Sequence, residues 1–313
     1  MTVNGALNPS KMGTTLIHEH FLVDFIGANE ISMDRWDRAA VIKRVMPYIL
    51  EAKQTGVNTI FDCTPAYLGR DPLLLRSLAR EAGINIVTNT GYYGALENKH
   101  LPLHALSETA ETLALRWIRE FNMGIDGTDI RPGFIKIGVD SGEKLSEMHI
   151  KLVKAAAMTH LKTGLTICSH TGPANPAFEQ LDILQDLGVN PSAFVWVHAQ
   201  EEKDKHYYEK AAALGAWVSL DGIGWGDIDE YADILVRLKN MGNLNRILIS
   251  HDAGWYKPGE PEGEFRGYTK IFTELIPKLM DKNFTKKDID QLLIQNPIAA
   301  FAIKVKKGRK LVV

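Results

Sequence analysis

Residues 165–198 read LTICSHTGPANPAFEQLDILQDLGVNPSAFVWVH. An apolar run at 165–170 precedes an amphipathic stretch at 176–188, and a second apolar run follows at 193–198. Strand, helix and strand periodicities in that order predict a βαβ unit. Its two strands must lie parallel, because a helix-length crossover separates them. Gly188 falls where a left-handed residue would cap the helix, and Asn175-Pro176 looks like an N-cap followed by proline at the first helical position. Both strands end in histidine, so the stretch that sets the topology also carries chemistry.

The same alternation runs in both directions from this stretch. Further strands are expected at 14–20, 57–63, 84–90, 133–139, 216–221 and 246–252. Helices are expected at 39–56, 72–83, 107–123, 146–164, 201–215, 229–242 and 268–282. Gly56, Gly83, Gly164, Gly215 and Gly242 fall at helix ends, and Asp71-Pro72 repeats the N-cap pattern. Eight β-then-α units predict an α/β fold, a (β/α)8 TIM barrel in one domain spanning 1–313. A short helical tail is expected from about 284, with a helix at 297–303 and a solvated basic end from Lys304 to Lys310. A doubly wound open sheet is the rival architecture. It would carry a glycine-rich dinucleotide loop or a Walker A motif, and neither occurs.

Composition narrows the function. Thirty-six Lys and Arg oppose 38 Asp and Glu in the 313 residues, so no basic excess exists to bind nucleic acid. Hydrophobic residues make up 45 % and charged residues 24 %, which excludes a disordered chain. No apolar run approaches the roughly 18 residues that cross a bilayer, so no membrane partner is expected. The start of the chain lacks a secretory pattern, which predicts a cytoplasmic protein. Cys63 and Cys168 lie in strand-like runs and read as buried thiols.

In parallel barrels, active residues collect at the C-terminal ends of the strands. There the sequence places His18 and His20, Lys136, His170, His198, and His251-Asp252. At period two, His18 and His20 share a face with Glu19 opposite. Lys136 joins Phe134 and Gly138, His170 joins Thr166 and Cys168, His198 joins Phe194 and Trp196, and Asp252 joins Leu248 and Ser250. A His-x-His pair alone is weak, and a histidine ending one strand is ordinary. Four histidines, one lysine and one aspartate converging on one barrel mouth point to a metal site. His251 would face away and orient the ligands from behind, as would Asp62. His149, His160 and His206 fall on helices and read as surface residues, whereas His100 and His104 fall in a loop that could edge a substrate entrance.

These residues, within Gly13-Thr14-Thr15-Leu16-Ile17-His18-Glu19-His20, Gly133-Phe134-Ile135-Lys136-Ile137-Gly138, Ser169-His170-Thr171-Gly172, His198 and Ser250-His251-Asp252, resemble the phosphotriesterase family of the amidohydrolase superfamily. Asp62 and Gly69-Arg70-Asp71 match as well, and the resemblance covers nearly the whole chain. It implies a binuclear site holding two divalent ions, zinc first, with manganese, cobalt or iron as alternatives. His18, His20 and Asp252 would hold the deeper ion, and His170 and His198 the outer one. Lys136, carboxylated by carbon dioxide, would bridge them opposite a hydroxide. Asp252 would take the proton from that hydroxide. A homodimer is also implied.

Substrate choice belongs to the loops. Tyr92, Tyr93, Trp225, Trp255 and Tyr256 are placed to wall an apolar pocket, and Arg266, Lys99 and Lys257 are candidates to hold a carboxylate or phosphate. Related lactonases carry arginine after the aspartate of strand seven, where this chain has Gly222. The long last loop of efficient insecticide hydrolases is also missing. The expected activity is therefore hydrolysis of a small-molecule lactone or ester, with incidental phosphotriester hydrolysis. The alternative is a phosphotriesterase. A mononuclear deaminase is disfavoured by Lys136, and a binding protein on a decayed barrel by the six intact candidate ligands.

Overall fold

In the computed structural model, residues 1–308 are described. Short strands β1 (Thr14–Leu22), β2 (Val57–Asp62), β3 (Asn85–Val87), β4 (Asn89–Thr90), β5 (Phe134–Gly138), β6 (Ile167–His170), β7 (Phe194–Val197), β8 (Trp217–Leu220), β9 (Ile247–Ile249) and β10 (Gly254–Tyr256) pair in parallel. They run β10-β1-β2-β3 and β4-β5-β6-β7-β8-β9. Only Thr88 separates β3 from β4, which form one interrupted stave. At the other seam, the Asp252 N–H donates to the His18 carbonyl at 3.0 Å, and β10 pairs with β1. The ring closes, and the fold is the expected (β/α)8 barrel.

Helices α1 (Arg38–Gln54), α2 (Pro72–Ala82), α3 (Leu103–Ser107), α4 (Ala110–Met123), α5 (Glu147–Thr163), α6 (Ala174–Asp186), α7 (His206–Leu214), α8 (Ile228–Asn240), α9 (Ile276–Asp281), α10 (Lys286–Asp290) and α11 (Asn296–Phe301) complete the chain. Helix α2 illustrates the local rules. Asp71 accepts from the Leu74 N–H at 3.1 Å, Pro72 opens the helix, and Gly83 ends it at φ 63°. Leu74, Leu75, Leu78, Ala79 and Ala82 form its buried stripe. Replacing such an N-cap with alanine costs about 1 kcal/mol. All six glycines expected at helix ends have positive φ.

Two apolar clusters hold the barrel. One lies between strands and helices. The other fills the lumen with Ile17, Phe61, Cys63, Phe134, Cys168, Val195, Val197, Trp217 and Leu248, and Phe301 of α11 closes it from below. Phe301 packs 4.4 Å from Phe61 between ring centres. Both cysteines are free and buried, as expected.

Several boundaries differ from expectation. Helix α6 begins at Ala174, before Asn175, and its first N–H is satisfied by Glu202 Oε2 at 2.8 Å. The helix expected at 107–123 begins only at Ala110, where Thr109 caps it, and a separate short helix, α3, precedes it. His149 and His160 are buried: His149 Nε2 lies 3.1 Å from the Gly94 carbonyl, and His160 Nδ1 lies 2.8 Å from that of Leu165. Helix α5 is therefore covered on more than its barrel face. His206 is exposed, as expected. Lys306 is not a solvated tail residue. Its Nζ donates to the carbonyls of Ser192 and Ala300 at 2.9 and 2.8 Å, and burial pulls its pKa down to about 8. Lys310 lies outside the described residues. No described helix is long and apolar enough to cross a membrane.

Candidate metal centre

Alternation delivers some of the site side chains directly. Phe134 and Cys168 point into the lumen, so Lys136 and His170, two residues on, stand at its mouth. Asp252 lies beyond the end of β9 and reaches the mouth through a left-handed backbone, φ 51°. Strand β7 overturns the expected face. Val195 and Val197 fill the lumen, whereas Trp196 turns outward and donates its Nε1–H to the Gly172 carbonyl at 2.8 Å. Continued alternation would carry His198 away from the site. Its left-handed backbone, φ 60° and ψ 34°, turns it back. In β1, an extra residue between Leu16 and Glu19 relative to β2 makes a bulge, which re-aims the side chains at that point.

His18, His20, Lys136, His170, His198 and Asp252 line one narrow cleft of about 60 Å³. Ring centres of His18 and His198 are 5.1 Å apart, and those of His170 and His198 are 4.5 Å apart. Asp252 Oδ1 is 3.1 Å from His20 Nε2 and 3.5 Å from His18 Nε2. Ligand atoms of His18, His198 and Asp252 all fall within 4.8 Å of one another. Lys136 is 2 % exposed, and its Nζ is 3.3 Å from His18 Nε2. No carboxylate forms an ion pair with it among the described residues.

Two residues missed in the sequence set the tautomers. Asp221 accepts from His18 Nδ1 at 3.1 Å, His198 Nδ1 at 2.7 Å, and Ser219 Oγ at 2.6 Å. It also accepts from the His198 N–H, which holds that residue in its strained conformation. Thr64 Oγ1 donates to the Leu22 carbonyl, so it accepts from His20 Nδ1 at 2.7 Å. Each of these three imidazoles therefore keeps its proton on Nδ1 and leaves Nε2 bare. A bare His20 Nε2 lies 3.1 Å from a carboxylate oxygen, and two acceptors so close repel unless a cation lies between them. This arrangement fits divalent metal. Asp221 was legible: Trp217, Ser219 and Asp221 alternate on the lumen side, opposite Val218 and Leu220.

Electrostatics favour the neutral form at His18 and His170 but not at His198. Burial, then the charge of Lys136, pulls His18 down to about 4. Burial, then His198 and Lys136, puts His170 well below its usual range. Both are neutral at pH 7, the form that binds metal. Burial would lower His198 too, but the Asp221 carboxylate outweighs it and raises the group. Burial likewise opposes ionisation of Asp252; without a cation, only charge on His18 and an Nε2–H on His20 would hold it below the usual carboxylate range, the part that a bound cation would take over.

The residues expected behind the ligands act elsewhere. Glu19 accepts from Ser250 Oγ, the N–H groups of His251 and Ala253, and His251 Nδ1, all at 2.7–3.1 Å. His251 thus locks the β1–β9 seam that carries Asp252, without touching a candidate ligand. Asp62 accepts from the Phe21 N–H at 3.2 Å and reaches none of the six. Burial pushes Asp62 up to about 8. Its stabilising contribution is therefore full below about pH 4 and declines as pH rises toward 8. Asp62→Asn should gain stability relative to the parent between pH 5 and pH 9, in urea midpoints measured at both. A gap that does not move would show that Asp62 is ionised at neutrality.

Only part of the expected substrate wall faces the cleft. Tyr93 and Trp255 do, their ring centres 5.0 Å from His170 and 5.6 Å from His20. Tyr92 instead lines a separate hollow with Trp36, Tyr67 and Arg70, its hydroxyl 3.0 Å from His104 Nε2. Tyr256 is buried between β1 and Phe265. Trp225 sits outside the cleft, donating Nε1–H to the Asp252 carbonyl at 2.9 Å, and the Arg266 guanidinium stacks 3.6 Å over it. Lys99 is tied to the Phe25 carbonyl, and His100 is buried beside Phe25 and Tyr93. Loop residues follow no period, so rank in the sequence could not separate wall from packing. Val23, Phe25, Pro65 and Leu68 complete the wall and went unrecognised.

The phosphotriesterase family model matches residues 1–301. The chain belongs to the phosphotriesterase family. It is 32 % identical over 293 residues to the phosphotriesterase homology protein of Escherichia coli K12, covering 92 % of this chain and 98 % of that one. It is 28 % identical over 312 residues to the aryldialkylphosphatase of Saccharolobus solfataricus, covering 95 % and 97 %. A mutant organophosphorus hydrolase from Deinococcus radiodurans superposes with a TM-score of 0.87 at 26 % identity, over 96 % of each chain. This member of the phosphotriesterase family is thus a hydrolase, and the family is metal-dependent.

Proposed function

We propose that this hydrolase cleaves a lactone or carboxylic ester. His18, His20 and Asp252 would hold one divalent cation and His170 and His198 a second, with a carboxylated Lys136 as a further donor. The supporting observation is the set of bare Nε2 atoms gathered around Asp252, fixed by Asp221 and Thr64. Imidazole and carboxylate donors suit zinc, with manganese, cobalt or iron acceptable to the same ligands. When bound, the ions supply Lewis acidity toward a substrate oxygen and acidify the attacking water.

The chain's own groups do the rest. Carboxylation forms an N–C bond between the neutral Lys136 amine and carbon dioxide and releases one proton. It replaces a buried amine with an anionic oxygen donor, which supplies a charge that no neighbouring carboxylate provides. Asp252 is ionised at neutral pH. It accepts the proton of the attacking water and returns it to the leaving oxygen. Trp225 holds the Asp252 carbonyl and so fixes that carboxylate's backbone. Phe25, Val23, Leu68 and Trp255 exclude bulk water from one side of the cleft. Among the described residues, Lys136 is the only lysine or arginine lining it, which favours an uncharged substrate.

A pH-indicator screen on protein reconstituted with zinc or manganese and bicarbonate tests this reading. The panel holds γ- and δ-lactones, aryl esters and a phosphotriester. Lactone or ester turnover far above phosphotriester turnover is expected. The reverse order would make phosphotriester hydrolysis the main activity, as in the aryldialkylphosphatase that the chain resembles. No turnover of any member would overturn the reading.

A further inference from the structure

A cleft of about 60 Å³ is far smaller than pockets that enclose a small-molecule ligand, which span about 300–1,000 Å³. For a lactone or ester to enter, part of the wall must move, and the backbone shows which part. Val23 donates its N–H to the Tyr256 carbonyl at 2.9 Å, and Cys63 donates its own to the Glu19 carbonyl at 2.8 Å. The Leu68 N–H donates to the Pro65 carbonyl at 3.2 Å, and the Leu68 carbonyl accepts from the Asp24 N–H at 2.8 Å. Tyr93 pairs with Gly138, and Trp255 sits between two residues paired with β1. Among the described residues, Phe25 alone of this wall has neither a strand partner nor a backbone-to-backbone hydrogen bond. Its carbonyl accepts from Lys99 Nζ at 2.6 Å, and its ring packs on His100 at 5.8 Å and Trp255 at 5.4 Å between centres.

The arm that carries Lys99 and His100 is strained. Leu96, Glu97 and Asn98 take left-handed backbones in succession, φ 59°, 57° and 63°, a conformation that residues with a side chain adopt singly if at all. The Asp140 carboxylate accepts from the Leu96 N–H at 2.7 Å and the Glu97 N–H at 3.3 Å and so holds that turn. The Ala28 N–H donates to the Lys99 carbonyl at 3.1 Å, a second tie between the arm and the Phe25 segment. Asp140 lies two residues beyond the end of β5, the strand of Lys136, and does not line the cleft. We propose that Phe25 is the gate through which substrate enters the cleft, and that Asp140 is the positioning residue that keeps it shut. Loss of Asp140 lets the turn relax, and loss of Lys99 unties the Phe25 carbonyl, so either change frees Phe25 to swing outward. This gate presupposes the hydrolase reading above and adds a control on substrate size.

Cys63 lines the cleft and Cys168 does not, so the two free thiols report gate opening and general loosening separately. Both are labelled with methyl methanethiosulfonate in the metal-reconstituted protein and followed by peptide mass spectrometry. Asp140→Ala and Lys99→Met should each speed Cys63 labelling about tenfold and leave Cys168 unchanged. Phe25→Ala should do the same, and adding Asp140→Ala to it should bring no further gain. Parental Cys63 rates in both Asp140→Ala and Lys99→Met would overturn the inference. So would equal acceleration of the two thiols, or a full further gain in the double variant. Lys99→Met carries the test if Asp140→Ala does not fold. In turnover, both variants should raise kcat/KM for an aryl hexanoate relative to the aryl acetate several-fold. No turnover of any lactone or ester would instead remove the hydrolase reading, and the labelling rates would still decide the gate.

Discussion

Lys136→Ala is expected to lower turnover by at least about a thousandfold and to reduce bound metal from about two ions per chain to one or fewer. The side chain is 2 % exposed on β5, between the β1 and β6 histidines, and no described carboxylate pairs with it. Alanine removes the nitrogen that carbon dioxide would carboxylate. Arginine restores length and charge but remains a cation, so Lys136→Arg should be equally inactive. Lys136→Met preserves volume and separates the loss of a donor from the loss of packing. Metal content by mass spectrometry, turnover and far-ultraviolet circular dichroism would be read together. Parental turnover with two ions bound in any of these variants would remove Lys136 from the centre.

The second large effect is expected at Asp221, a residue that never touches the metal in the proposed scheme. Its carboxylate is fully buried and accepts from both His18 and His198. In Asp221→Asn, an amide NH2 faces donors that previously met an acceptor. At least one imidazole must then move its proton to Nε2 and lose the lone pair that would bind metal. Metal affinity should fall about 10- to 100-fold, the usual effect of losing such a support. The metal-free protein should lose about 1–3 kcal/mol, because a buried donor is left unpaired. A competitive chelator titration and urea unfolding measure the two quantities separately. Parental metal affinity in Asp221→Asn would show that the tautomers are set some other way.

These two residues also show what could be read from the sequence. Period-two alternation placed Lys136 and His170 because β5 and β6 stay extended up to the mouth. It failed at His198 because that residue leaves extended geometry, and one left-handed residue reverses a face. His198 nonetheless reaches the cluster, so the residue was identified for a reason the backbone does not use. Asp221 obeys the alternation at the end of the strand expected at 216–221, but it has no place among the expected site residues. Tyr92, Tyr256 and Arg266 failed differently: aromatic and cationic residues in loops pack against each other as readily as they line a cleft. The barrel itself was legible because strand and helix periods, capping glycines and the Asp71-Pro72 start all agree with one another.

The seam between β1 and the segment after β9 has a bearing on biosynthesis. The His18 N–H reaches Ser250 Oγ across 232 residues of chain, and Glu19 grips His251 and Ala253 across a similar span. His18 and His20 are made before Asp252, which follows His20 by 232 residues. A nascent chain paused before residue 250 therefore holds its first two imidazoles but lacks both the carboxylate they converge on and the lock that presents it. In the proposed scheme, a cation that needs both the imidazoles and Asp252 would therefore be bound only after the two sides of this seam have met.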